Sequence, residues 1–159
     1  MSILKTVKGC PLFQELYDAE ILDIVKHCQV INLRPQDTIF RKGDTGNEVY
    51  LVLSGQARVS IGDVELAKLK KGDLFGEMVL LKENIRKADI VCDTFSSVLV
   101  IDYDDLFNYF QKNKNVFSIL MLNLARILAG RLKKAGGQIK ELCVENDKLK
   151  RTQLEALNH

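Results

Sequence analysis

The chain has 159 residues, 47% of them apolar, which is enough for one packed core and a small extension. Its 23 basic and 21 acidic residues nearly cancel at net +2, so the strongly basic face of a nucleic-acid binder is not expected. No uninterrupted apolar run approaches the roughly 20 residues that span a bilayer, and residues 1–10 are too polar for a secretory signal; the expected setting is cytoplasmic, with neither nucleic acid nor membrane as a partner.

From the N-terminus, Leu12, Phe13, Leu16, Ile21, Leu22 and Val25 recur at helical spacing behind Pro11, which suits a first helical turn. They predict a helix over 12–27 with a break near Asp18. The pattern then changes, with six of the ten glycines between Gly43 and Gly76. Runs rich in β-formers at 30–33, 38–40, 49–53, 57–61 and 64–69 read as strands, and Gly62-Asp63 is a hairpin signal between two of them. Lys42-Gly43-Asp44 and Ser54-Gly55-Gln56 read as further turns. After an irregular stretch at 72–87, strand character resumes at 88–92 and 97–101. Short strands with a turn about every 8–12 residues predict a β-sandwich or β-barrel. Leu106, Phe107 and Phe110 fit a short helix, and 116–135 fits a long one. The fold class expected is α+β, a β-barrel flanked by N- and C-terminal helices, with a body at 1–135 and a C-terminal helix at 136–159.

The irregular stretch carries the chemistry. Gly76 lets backbone approach a ligand, and free N–H groups at the start of a helical turn form an anion site. Arg86 follows Glu77 by nine residues. A guanidinium grips two phosphate oxygens at once, and a carboxylate at Glu77 accepts a hydrogen bond from a hydroxyl. The set suits a ligand with a phosphate and an adjacent sugar hydroxyl. Taken alone the pattern is common by chance and fits a surface turn with a solvated ion pair better than a ligand site.

Several segments in order carry a resemblance: Phe40-Arg41-Lys42-Gly43-Asp44, Tyr50-Leu51-Val52-Leu53-Ser54-Gly55, Lys71-Gly72-Asp73, Phe75-Gly76-Glu77, Met78-Val79-Leu80-Leu81 and Arg86-Lys87-Ala88. Over residues 11–135 the sequence resembles the cyclic-nucleotide-binding domain family. The resemblance implies a jelly-roll-like double-stranded β-helix and a cyclic nucleoside monophosphate as ligand, cAMP before cGMP. It implies that Glu77 accepts from the ribose 2′-hydroxyl and that Arg86 pairs with the exocyclic phosphate oxygens. Amides around Met78 and Val79 would donate to the same phosphate, and Phe75, Gly76, Lys87 and Ala88 complete the expected ligand-binding set. The chain departs from the family at Lys87, where a small residue is common, and at Val79, where alanine or glycine is frequent. Asp89 stands where serine or threonine is often found. These departures leave open the base, and also a degenerate pocket in a protein that serves for dimerisation or interaction.

Met121, Ala125, Leu128, Leu132, Ala135, Ile139, Leu142, Asn146 and Leu149 form a heptad seam across Gly136-Gly137. One core Asn fixes register and favours two strands, so a homodimer through 116–157 is expected. The glycine pair costs about 1 kcal/mol per residue in helix propensity and marks a hinge. The alternative is a helix packed on its own barrel with a frayed end. The 22 residues after Gly137 are too few for a helix-turn-helix module, and their charges are mixed; the expected output is a protein partner or a dimer rearrangement. No nucleophile–base pair is spaced for catalysis, so no enzyme is expected. Cys10, Cys28, Cys92 and Cys143 are far apart, and with only His27 and His159 beside them there is no metal-ligand spacing. The expectation is reduced, structural thiols, with no cofactor and no metal.

Overall fold

A computed structural model describes residues 3–81 and 84–157. The chain enters through helix α1 (Ile3–Lys8), a 3-10 turn at Pro11–Phe13 and helix α2 (Asp18–Val25). The expected break near Asp18 has a local cause. Tyr17 is extended, and the Glu20 carboxylate turns back to accept its N–H at 2.8 Å, which starts a new helix there.

Eight strands follow: β1 (Gln29–Leu33), β2 (Thr38–Phe40), β3 (Glu48–Ser54), β4 (Gln56–Ile61), β5 (Val64–Lys70), β6 (Leu74–Phe75), β7 (Asp89–Cys92) and β8 (Ser96–Asp102). They form two four-stranded sheets, ordered β1-β8-β3-β6 and β2-β7-β4-β5, with every pairing antiparallel. This is the jelly-roll sandwich with flanking helices that the sequence pointed to.

β3 lies inside the first sheet, and Val49 to Leu53 are all buried. Tyr50 and Val52 face the second sheet, where they join Ala57, Leu69, Ile90 and Cys92 in one core. The alternate residues lie on the other face, where α1 packs on β3 and α3 on β8. A strand covered on both faces loses the period-two polarity of a half-exposed one, which is why the sequence shows a continuous apolar run. Each such buried Val or Leu contributes about 1.5–3 kcal/mol.

Three turns share one device. The carboxylates of Asp37, Asp44 and Asp73 accept the N–H groups of Arg34, Arg41 and Lys70, at 2.7, 2.8 and 2.8 Å. A side chain three residues on thus fixes each corner of the roll.

Helix α3 (Tyr103–Lys112) is capped by Asp102, whose Oδ1 accepts from Asp104 and Asp105 at 2.8 and 3.0 Å. Helix α4 (Lys114–Leu157) runs without interruption through Gly136 and Gly137. The chain divides into two compact units between Met121 and Leu122. In the first, Val116 and Leu120 are buried. In the second, every residue from Leu132 to Leu157 is exposed. By length and composition alone, α4 contains an 18-residue stretch apolar enough to cross a membrane. It escapes a search for uninterrupted apolar runs because Asn123, Arg126 and Arg131 break the helix's apolar sequence.

Candidate ligand-binding site

The segment leading into β7 is strapped to the connection between β2 and β3. The Arg86 N–H donates to the Asp44 carbonyl at 2.8 Å, and its carbonyl accepts from Gly43 at 2.9 Å. Gly46 donates to the Asn84 carbonyl at 3.0 Å, and Thr45 bridges Ile85. The strap turns the Arg86 side chain inward, where it is only 5% exposed.

A buried guanidinium requires compensation for its charge and its donors. Nη2 donates to Glu48 Oε2 at 2.8 Å. Nη1 donates to the Glu48 carbonyl at 3.0 Å and, at a longer 3.5 Å, to the Gly76 carbonyl. Beneath the group lies an aromatic floor: Cζ is 4.4 Å from the Phe40 ring centre and 5.5 Å from that of Tyr50. Tyr50 in turn stacks on Phe75 at 5.1 Å. Such cation–π contacts gain strength when desolvated. Burial pushes the Tyr50 phenol up; the Glu48 charge adds to that, while Arg86 opposes it.

Gly76 adopts φ +80°, and a Cβ on it would lie 3.0 Å from the Glu48 carbonyl and 3.1 Å from both Arg86 Nη1 and Tyr50 Cδ2. Only glycine lets the backbone pass this close to the cation. A 3-10 turn, Glu77–Leu81, starts immediately after it. Glu77 is half-buried there, Met78 is exposed and Val79 is buried, its N–H reaching the Gly76 carbonyl at 3.4 Å.

The expected ligand-binding residues therefore lie on two segments that meet where Gly76 touches Arg86. Phe75 belongs to the aromatic floor, Glu77, Met78 and Val79 lie on the turn, and Lys87 (exposed) and Ala88 (half-buried) lead into β7. Glu48, Gly46, Phe40 and Tyr50 were not singled out as site residues. The signal for Glu48 was strand parity: it shares the inward face of β3 with Tyr50 and Val52. Asp89 does not turn toward Arg86. Its Oδ1 accepts the Lys42 N–H at 2.7 Å, and it borders an open groove of about 570 Å3 with Thr38, Arg58 and Ser60. Among the described residues no cluster of His, Cys, Asp or Glu could hold a metal ion. What the site offers is a fixed cation beside a glycine-led turn, suited to an anion with at least two oxygens.

Residues 30–113 match the model of the cyclic nucleotide-binding domain, and the chain belongs to that family. A cGMP-dependent protein kinase of Toxoplasma gondii is 39% identical over 84 residues, 53% of this chain and 8% of the kinase. The cyclic AMP receptor protein of Thermus thermophilus is 35% identical over 145 residues, 87% of this chain and 65% of the receptor. The crystal structure of the Thermus thermophilus catabolite activator protein superposes with a TM-score of 0.70 at 33% identity, over 83% of this chain and 62% of that one. The chain thus spans less than two thirds of these relatives' length. Its fold is a regulatory one, with the cyclic-nucleotide module as its body.

Proposed function

We propose that the chain is a cyclic-nucleotide sensor without catalytic activity, with cAMP as its ligand. The observation that carries this reading is the buried Arg86 guanidinium, held by Glu48 against the turn that Gly76 leads. An incoming cyclic phosphate would pair with the guanidinium through its exocyclic oxygens. Amides near Met78 and Val79 would donate to the same phosphate, and Glu77 would accept from the ribose 2′-hydroxyl. Phe75, Gly76, Lys87 and Ala88 line the approach. The preference for cAMP rests on the Thermus receptor, the relative above that matches the most of this chain. Four free thiols support the cytoplasmic setting.

Ligand contacts would tighten the 77–81 turn and shift the following helices, since only differential contacts move a conformational equilibrium. The output we assign is a parallel homodimer through α4. Leu132, Ile139 and Asn146 occupy one core position of the heptad, and Leu128, Ala135, Leu142 and Leu149 the other. Asn146 at a core position favours a two-stranded coil, and Glu145 falls opposite Lys150 of a parallel second copy. Thermal melting tests the sensor reading against a fold-only interaction module. At 100 times its dissociation constant a true ligand adds about 2.7 kcal/mol; an unchanged melt with saturating cAMP and cGMP leaves only the interaction module.

A further inference from the structure

We propose that Glu48 makes this site selective for a singly charged phosphodiester over a doubly charged phosphomonoester; the proposal rests on the cyclic-nucleotide reading of Arg86. Arg86 is the site's buried cation, and the Glu48 carboxylate already balances it at 2.8 Å. The pair carries no net charge. A ligand's first negative charge is held by directed hydrogen bonds to the guanidinium. A second negative charge meets nearly equal attraction from Arg86 and repulsion from Glu48. It therefore gains little in the site while adding to the cost of leaving water.

The pair is also built to stay together. Glu48 holds Arg86 through its carbonyl as well as its carboxylate. The Phe40 and Tyr50 rings lie under the guanidinium. Gly46 leaves the pair its space, since a Cβ there would fall 2.5 Å from Arg86 Nη2 and 2.8 Å from Glu48 Oε2. The carboxylate is 38% exposed, so its influence is moderated by water but not abolished.

The test compares 3′,5′-cAMP with 5′-AMP, which share base and sugar and differ in phosphate charge. Dissociation constants are measured by calorimetry at fixed ionic strength for the wild type, Glu48→Gln and Glu48→Asp. Glu48→Gln keeps an oxygen to accept from Nη2 but leaves the site one charge more positive. The ratio of the AMP to the cAMP dissociation constant is expected to fall by about threefold or more. Glu48→Asp keeps the charge and should preserve the wild-type ratio. Lys87 and Glu77 are unchanged in all three proteins and cancel in the comparison. An unchanged ratio in Glu48→Gln, with cAMP still bound, overturns the role of Glu48 alone, as does an equal fall in Glu48→Asp. Failure of the wild type to bind either nucleotide overturns the site reading and this proposal together.

Discussion

Arg86 is buried deeply enough that its charge must be matched, and the Glu48 carboxylate and the backbone carbonyls of Glu48 and Gly76 match it. A hydrogen bond to a charged group is worth about 1.5–3 kcal/mol, tenfold or more in affinity. Arg86→Ala should therefore weaken cyclic-nucleotide binding at least tenfold in competition with a fluorescent cAMP analogue. Arg86→Lys should restore little, because an ammonium has no planar fork; full recovery by lysine would show that charge alone suffices. The thiols give a second residue-scale prediction. Burial pushes Cys10 and Cys28 up to about 11 from the ordinary 9.0. Unfolded thiols ionise first, so the stability these groups confer is complete below pH 9 and is lost as pH rises through about 11. Urea unfolding from pH 8 to 11 should show the wild type losing more stability than a Cys10→Ala/Cys28→Ala variant. Parallel losses would remove the thiols from the explanation. Arg86 and Gly76 stood out in the sequence because they belong to the ordered segments that carry the family resemblance. Glu48 did not, since a carboxylate at a strand's start looks solvated until Arg86, 38 positions away, is folded onto it.

Among the elements, seven of the eight strands were readable to within a residue at each end, because β-formers between turn signals leave little choice. β6 was not: it has two residues, Leu74 and Phe75, and exists only through pairing with Tyr50 and Leu51. α1 went unread for a similar reason, with six residues and a single buried side chain, Val7. The turn signals at Gly43, Gly55 and Gly62 all fall between strands, but the sequence could not rank them. Gly55 links β3 to β4 at φ +84°, and a Cβ there would lie 2.3 Å from Ser96 Oγ and 2.4 Å from the Phe95 carbonyl. Gly62, in the next hairpin, has φ +57° and open space around it. Gly62→Ala should cost about 1–2 kcal/mol from backbone strain alone. Gly55→Ala adds overlap worth about 1–3 kcal/mol more. Equal losses for the two in urea unfolding would contradict the crowding at Gly55.

At the scale of the molecule, α4 is where sequence and structure meet a feature that one chain does not satisfy. Leu132, Ile139, Leu142 and Leu149 are 75%, 61%, 64% and 59% exposed along one heptad seam. The glycine pair that marked a hinge in the sequence is helical in the fold. If a second copy covers the seam, sedimentation of the wild type at micromolar concentration gives a dimer, and Leu142→Asp gives a monomer. A wild-type monomer would leave the seam without that role. The account as a whole stands on whether the cradle around Arg86 accepts a cyclic nucleotide. Calorimetric titration of cAMP into the purified wild-type chain is the most direct measurement: one saturable site per chain is predicted, while the absence of saturable heat with either cAMP or cGMP would contradict it.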